Sequence, residues 1–124
     1  MEIILLIEDD PFLSEIYVTK FEEAGFEISV AQDGMLGLQK IKEHAPDLLL
    51  LDIVMPNMDG FEFLRTIKED PEFTHIPIVI LSNLGEQENV EKGFELGAEA
   101  YIIKAHYTPT EVVAKVKEIL KDAD

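Results

Sequence analysis

The sequence predicts an α/β domain built on a parallel β-sheet with helices on both faces. Short apolar runs alternate with longer segments of helical periodicity along the 124 residues. Two of these runs, Ile3–Ile7 and Leu48–Leu51, contain no polar residue, which is typical of strands covered on both faces. Parallel neighbours need crossover connections, and the helical segments between the runs supply them. A chain of this length makes one domain.

The elements of the first half follow from residue spacing and from signals at their ends. Apolar residues at helical spacing predict a first helix over Pro11–Ala24, which ends before Gly25. Glu27–Ala31 alternates between polar and apolar residues and therefore predicts an edge strand. A second helix is predicted over Gly34–His44, because the following Ala45–Pro46 step disfavours helical backbone.

The second half continues the same alternation after Leu48–Leu51. The further predicted elements are a helix at Gly60–Lys68, a strand at Ile76–Leu81, a helix at Glu86–Leu96 and a strand at Ala100–Ile103. The last helix has the clearest start signal, because Thr108, Pro109 and Glu111 match a capping box with proline at the first helical position.

Composition excludes several classes of function. Acidic residues number 26 against 10 basic ones, for a net charge of −16, which argues against binding to duplex nucleic acid or to anionic membranes. Cysteine is absent, so disulfides and thiolate sites are excluded. No apolar run is long enough to span a bilayer, and Glu2 stands where a signal peptide carries positive charge. We therefore expect a cytoplasmic domain.

Charged and polar residues directly follow four of the predicted strands. Glu8 and Asp9 follow the first strand, Asp52 the third, Ser82 the fourth and Lys104 the fifth. Ligands of open parallel sheets bind beyond the carboxyl ends of the strands, so these side chains are expected on one rim. Clustered carboxylates repel one another unless a cation lies among them, and oxygen ligands without His or Cys suit Mg²⁺.

This set of residues suits phosphoryl transfer. An aspartate such as Asp52 can act as a nucleophile and form an acyl phosphate. Lys104 can offset charge on the phosphoryl oxygens, and the Ser82 hydroxyl can donate a hydrogen bond to one of them. A purely structural role is the better interpretation of Asp10, which precedes Pro11 as a helix N-cap, and of the Asp59–Gly60 turn.

The motifs LLIEDDP, LLLLDIVMPNMDG, IVILSN and AYIIK stand at the first, third, fourth and fifth strands. With them the chain resembles the receiver domain of two-component response regulators, over essentially its whole length. The resemblance implies a flavodoxin-like sheet of five parallel strands in the order 2-1-3-4-5, flanked by five helices. It also implies that residues 1–124 form a single receiver domain, expected to act without an output domain.

The resemblance assigns the phosphoacceptor role to Asp52. The phosphoryl donor is then a sensor histidine kinase or a histidine phosphotransfer protein, and the chain is a signalling phosphoacceptor rather than an enzyme. Glu8, Asp9 and Asp52, with the backbone carbonyl of Val54, are the implied ligands of Mg²⁺.

The resemblance also implies how the phosphorylated form signals. Ser82 and Lys104 contact the phosphoryl group, and the aromatic side chain of Tyr101 changes rotamer as the Ser82 hydroxyl moves. The surface of the fourth helix, fifth strand and fifth helix then changes for a protein target. No nucleic acid or membrane partner is expected.

Three departures from the family pattern stand near the predicted site. The family usually has proline after its lysine, in a cis peptide, whereas Lys104 is followed by Ala105 in a bond that is either trans or cis. Asn83 is larger than the usual small residue and is expected to narrow access to the acceptor. Val54 and Leu84 replace polar groups that assist an attacking water, which leads to the hypothesis of a long-lived phospho-form.

Three other functions compete with this one. An aspartyl phosphatase needs a second Asp two residues after its nucleophile, where this chain has Val54. A flavin-binding electron carrier cradles phosphate in a Ser/Thr-rich loop, where this chain has the acidic run 8–10. A pseudo-receiver, an interaction module that phosphorylation does not regulate, remains the alternative, given Asn83 and Ala105.

Overall fold

The computed structural model describes residues 2–123, which form a five-stranded parallel sheet in the order β2-β1-β3-β4-β5. The predicted fold class and strand order are confirmed. The strands are β1 Ile3–Ile7, β2 Glu27–Ala31, β3 Leu48–Leu51, β4 Ile78–Ser82 and β5 Ala100–Ile103. The helices are α1 Pro11–Glu23, α2 Gly34–Glu43, α3 Gly60–Glu69, α4 Gln87–Glu95 and α5 Pro109–Ala123, with a 3-10 turn at Lys104–His106.

Two apolar clusters cover the two faces of the sheet. Alternate side chains of β3 point to opposite faces of the sheet. Leu49 and Leu51 pack with α2 and α3, whereas Leu48 and Leu50 pack with α1 and α5. All four leucines are completely buried. This explains why β1, β3 and β4 read as unbroken apolar runs, since central strands of a doubly covered sheet have no solvent face.

The fourth strand differs from its predicted bounds. It begins at Ile78 rather than Ile76, because the ladder with β3 starts at the carbonyl of Pro77, which accepts the Leu49 N–H at 3.0 Å. Ile76 is buried in the core but lies before the strand. At its other end β4 includes Ser82, which sits opposite Ile103 of β5. The helix ends differ from prediction by one residue at most.

Side-chain caps fix the starts of α1 and α5 at the carboxyl edge of the sheet. Asp10 accepts the backbone N–H of Phe12 at 3.0 Å, which confirms it as the N-cap of α1. Thr108 and Glu111 exchange hydrogen bonds of 2.9 and 3.1 Å, which confirms the capping box of α5. Within residues 2–123 no helix has the length and apolar character needed to cross a membrane.

Candidate functional site

A surface cavity of about 420 Å³ opens at the carboxyl ends of β1, β3, β4 and β5. The structure brings together in this cavity the five residues that follow or end these strands, although they come from four separate segments. The lining residues are Glu8, Asp9, Asp10, Leu13, Asp52, Val54, Ser82, Asn83, Leu84 and Lys104.

Three carboxylates converge in the cavity. Glu8, Asp9 and Asp52 each have an oxygen within 4.8 Å of the others. Glu8 is 2% exposed and Asp52 6% exposed, whereas Asp9 is exposed to solvent. Three oxygen donors with one solvent-facing side fit Mg²⁺, which keeps water in its coordination shell. The donor set therefore fits the metal that the sequence predicts.

Lys104 supplies the positive charge among the buried carboxylates. Its Nζ lies 2.5 Å from Glu8 Oε1 and 3.1 Å from Asp52 Oδ2, and its side chain is 12% exposed. Burial acts to lower the pKa of Lys104, but the hydrogen bonds and charges of Glu8 and Asp52 outweigh burial and raise it. The ammonium therefore stays charged and bridges Asp52 to Glu8.

Glu8 is the most strongly perturbed acid of the site. Burial raises the pKa of Glu8 to about 7, the hydrogen bond from Lys104 counteracts this, and the charge of Asp52 adds to it. Sequence reasoning placed Glu8 on the rim but missed its direct pairing with Lys104, which lies 96 residues away.

The hydroxyls of Ser82 and Tyr101 both form hydrogen bonds with the backbone of Leu84, in the loop after β4. Ser82 is 1% exposed, and its Oγ accepts the Leu84 N–H at 3.3 Å. Tyr101 is half-buried, and its hydroxyl donates to the Leu84 carbonyl at 2.5 Å. Gly93 of α4 makes room for the ring, because a Cβ at Gly93 would lie 2.6 Å from Ile80 Cδ1 and 3.1 Å from Tyr101 Cδ2.

The loop after β3 holds Asp52 against the start of α3. The Val54 N–H donates to Asp52 Oδ1 at 3.4 Å, and the Val54 side chain is 61% exposed at the cavity. A Cβ at Gly60 would lie 2.4 Å from the Asp52 carbonyl oxygen and 2.6 Å from Ile53 Cα. Asp59 caps α3 by accepting the backbone N–H of Glu62 at 2.9 Å. The Asp59–Gly60 turn thus positions the loop that carries Asp52.

The Lys104–Ala105 peptide is trans, as are all peptide bonds between the described residues. The Ala105 N–H donates to Asn83 Oδ1 at 3.0 Å. This contact was not predicted. The sequence held one signal for it: Asn83 and Ala105 both depart from the family pattern, and they lie just after β4 and β5, which are neighbours in the sheet.

A family model described as the response regulator receiver domain matches residues 4–117. The chain belongs to the response regulator receiver domain family. This receiver domain is 33% identical over 121 residues to the DNA-binding dual master transcriptional regulator RpaA of Synechocystis, covering 98% of this chain and 50% of that protein. The chain thus spans about half the length of the curated relatives it matches.

Solved structures give the same assignment. The Francisella response regulator 1452 receiver domain is 29% identical, covers 100% of both chains and superposes with a TM-score of 0.91. The Mn²⁺-bound form of response regulator Rcp1 is 25% identical, covers 99% of this receiver domain and 89% of that chain, and has a TM-score of 0.80. Receiver domains act as phosphoacceptor signalling modules, which sets aside the phosphatase and the flavin carrier.

Proposed function

We propose that Asp52 accepts a phosphoryl group, in the presence of Mg²⁺, from a sensor histidine kinase or a histidine phosphotransfer protein. The observation that carries this proposal is the position of the Asp52 carboxylate. It faces an open cavity, with an ammonium at 3.1 Å on one side and two further carboxylates within 4.8 Å. A carboxylate oxygen of Asp52 attacks phosphorus, and the bond from phosphorus to the donor histidine nitrogen breaks. The bonding electron pair stays on that nitrogen, and the ring leaves as neutral imidazole because its other nitrogen already carries a proton.

The metal ligands in this proposal are Glu8, Asp9, Asp52 and the backbone carbonyl of Val54. Bound Mg²⁺ supplies positive charge that neutralises the phosphoryl oxygens. The carboxylate cluster supports this assignment, as does the Mn²⁺-bound form of the related Rcp1. Lys104 supplies one positive charge against three carboxylates, so the cluster still favours a bound cation.

The remaining roles belong to the residues on β4 and β5. Lys104 pairs with a phosphoryl oxygen, which draws its ammonium from Glu8 toward the new group. The Ser82 hydroxyl donates to another phosphoryl oxygen, and Tyr101 responds through the loop at Leu84 that both side chains contact. The signal is a changed surface of α4, β5 and α5, which a protein target reads. The net charge of −16 favours a basic patch on that target. We place this exchange in the cytoplasm.

The test is to incubate the protein with a small phosphoryl donor and Mg²⁺ and to measure its intact mass. We expect one acid-labile phosphoryl group, absent without Mg²⁺ and absent in Asp52→Ala. Asp47→Ala, which removes an exposed carboxylate at the opposite end of β3, is the matched control and should retain the modification. A folded wild-type protein that gains no mass and binds no beryllofluoride, a small stand-in for the phosphoryl group, would instead be the pseudo-receiver.

A further inference from the structure

Two of the departures from the family pattern, Asn83 and Ala105, are joined by one hydrogen bond. The Ala105 N–H donates to Asn83 Oδ1 at 3.0 Å. The sheet register pairs Ser82 with Ile103, so Asn83 and Lys104 are the next residues beyond the sheet on neighbouring strands. A side chain therefore continues the connection between β4 and β5 past the last pair of the ladder.

This bond completes the turn that carries Lys104. The first N–H groups of a helical turn have no acceptor within the turn. Ile103, which precedes the turn, provides no side-chain cap, and Asn83 supplies the acceptor from the neighbouring loop. A proline at position 105 has no N–H and leaves a side chain at 83 nothing to accept. The asparagine and the non-proline residue are therefore complementary.

We propose that Asn83 is a positioning residue, which fixes the backbone of Lys104 and thereby the ammonium that faces Asp52. The inference rests on the proposed phosphoacceptor function. β5 holds the backbone before Lys104, and the Asn83 bond holds it immediately after. The turn's own hydrogen bond, from the Tyr107 N–H to the Lys104 carbonyl, is long at 3.4 Å. The ammonium contacts Asp52 at 3.1 Å and Glu8 at 2.5 Å at the same time, so a shift of the backbone lengthens at least one of these contacts.

The first experiment needs no phosphoryl chemistry. The Nζ–Hζ signal of Lys104 in NMR spectra of the ¹⁵N-labelled, metal-free protein reports whether the ammonium is held, because a buried hydrogen-bonded ammonium exchanges its protons slowly. We expect the signal in the wild-type protein and its loss in Asn83→Ala and in Asn83→Leu, which keeps the size but has no acceptor. An unchanged signal in both folded variants overturns the proposal. So does a wild-type protein that lacks the signal.

The second experiment measures beryllofluoride affinity in the presence of Mg²⁺. Loss of one hydrogen bond should weaken binding by about two- to tenfold, and equally in Asn83→Ala and Asn83→Leu. If Asn83 only narrows access, the smaller alanine should instead bind more tightly than the wild-type residue. In a Lys104→Ala background the Asn83→Ala substitution should have no further effect, because Asn83 acts through the lysine.

The outcomes separate the two proposals. An Asn83 effect that persists without Lys104 refutes the positioning role while leaving the phosphoacceptor function intact. A wild-type protein that binds no beryllofluoride refutes the phosphoacceptor function, and the Lys104 signal then still decides whether Asn83 positions the ammonium.

Discussion

The raised pKa of Glu8 predicts that this protein, without metal, loses stability as pH rises through neutrality. The pKa is about 7 in the folded chain against an ordinary value of 4.5, so the folded state holds this proton more tightly than the unfolded state. The stabilising contribution is complete below pH 4.5 and is lost as pH rises through 7. At roughly 1.4 kcal/mol per pH unit, the loss amounts to up to about 3 kcal/mol.

The assay is thermal unfolding of metal-free protein between pH 5 and pH 8, beside Glu8→Gln. The glutamine cannot ionise but keeps an oxygen for the Lys104 ammonium. We expect the melting temperature of wild type to fall relative to the variant by about 10 °C across this range. Glu22→Gln, which removes an exposed carboxylate from α1, should instead parallel wild type.

Magnesium binding offers an independent check of the same pKa. Because the Glu8 proton competes with the metal, wild-type affinity for Mg²⁺ should rise about tenfold per pH unit below pH 7 and level off above it. The Glu8→Gln variant should lack this dependence on Glu8. Parallel stability curves for wild type and Glu8→Gln, together with a pH-independent Mg²⁺ affinity, would refute the reasoning.

Four further outcomes are expected. Asp52→Asn should raise the melting temperature of metal-free protein and weaken Mg²⁺ binding, because it removes one of the facing carboxylates; calorimetry that finds neither change would contradict the clustering. Gly60→Ala should lower the free energy of unfolding by about 3 kcal/mol, since its Cβ would overlap the Asp52 carbonyl; a urea midpoint near wild type would argue against this close packing. Thr108→Ala should cost about 1 kcal/mol, because the Glu111 N–H loses its acceptor; the same urea series measures it, and no loss would mean that the capping box contributes nothing. The phospho-form should be long-lived, and Val54→Asn should shorten its half-life, as followed by the decay of the acid-labile mass; equal half-lives would remove Val54 as the cause.

Much of the fold was predictable because its signals are local. Unbroken apolar runs marked the central strands, and the alternation in Glu27–Ala31 marked the β2 edge. The start of β4 was misplaced because Ile76 extends the apolar run of Ile78 although Pro77 stands between them. The buried residues thus extend beyond the strand at its start. The pattern of apolar residues in a sequence indicates which side chains are buried, not which backbone groups form the hydrogen bonds of the sheet.

The rim of the site was also predictable, because the carboxyl ends of parallel strands meet at one edge of the sheet. The individual contacts were not. Whether Lys104 reaches Glu8 as well as Asp52 depends on side-chain rotamers, and the Asn83 contact depends on the geometry of two loops. The direction of the Tyr101 ring depends on space beside Gly93 in α4, which no spacing rule reports.

Because the chain carries its own cation among its carboxylates, Mg²⁺ bound as proposed would exchange partners rather than fill a bare anionic pocket. The apparent affinity for the metal would then reflect the difference between two favourable states, one with the Lys104–Glu8 pair intact and one with Glu8 bound to the ion. Substitutions that strengthen or weaken the contacts holding Lys104 in place would shift that free-energy difference without changing any proposed metal ligand. Metal sensitivity in such a domain can therefore evolve through residues such as Asn83, while the acidic residues stay fixed.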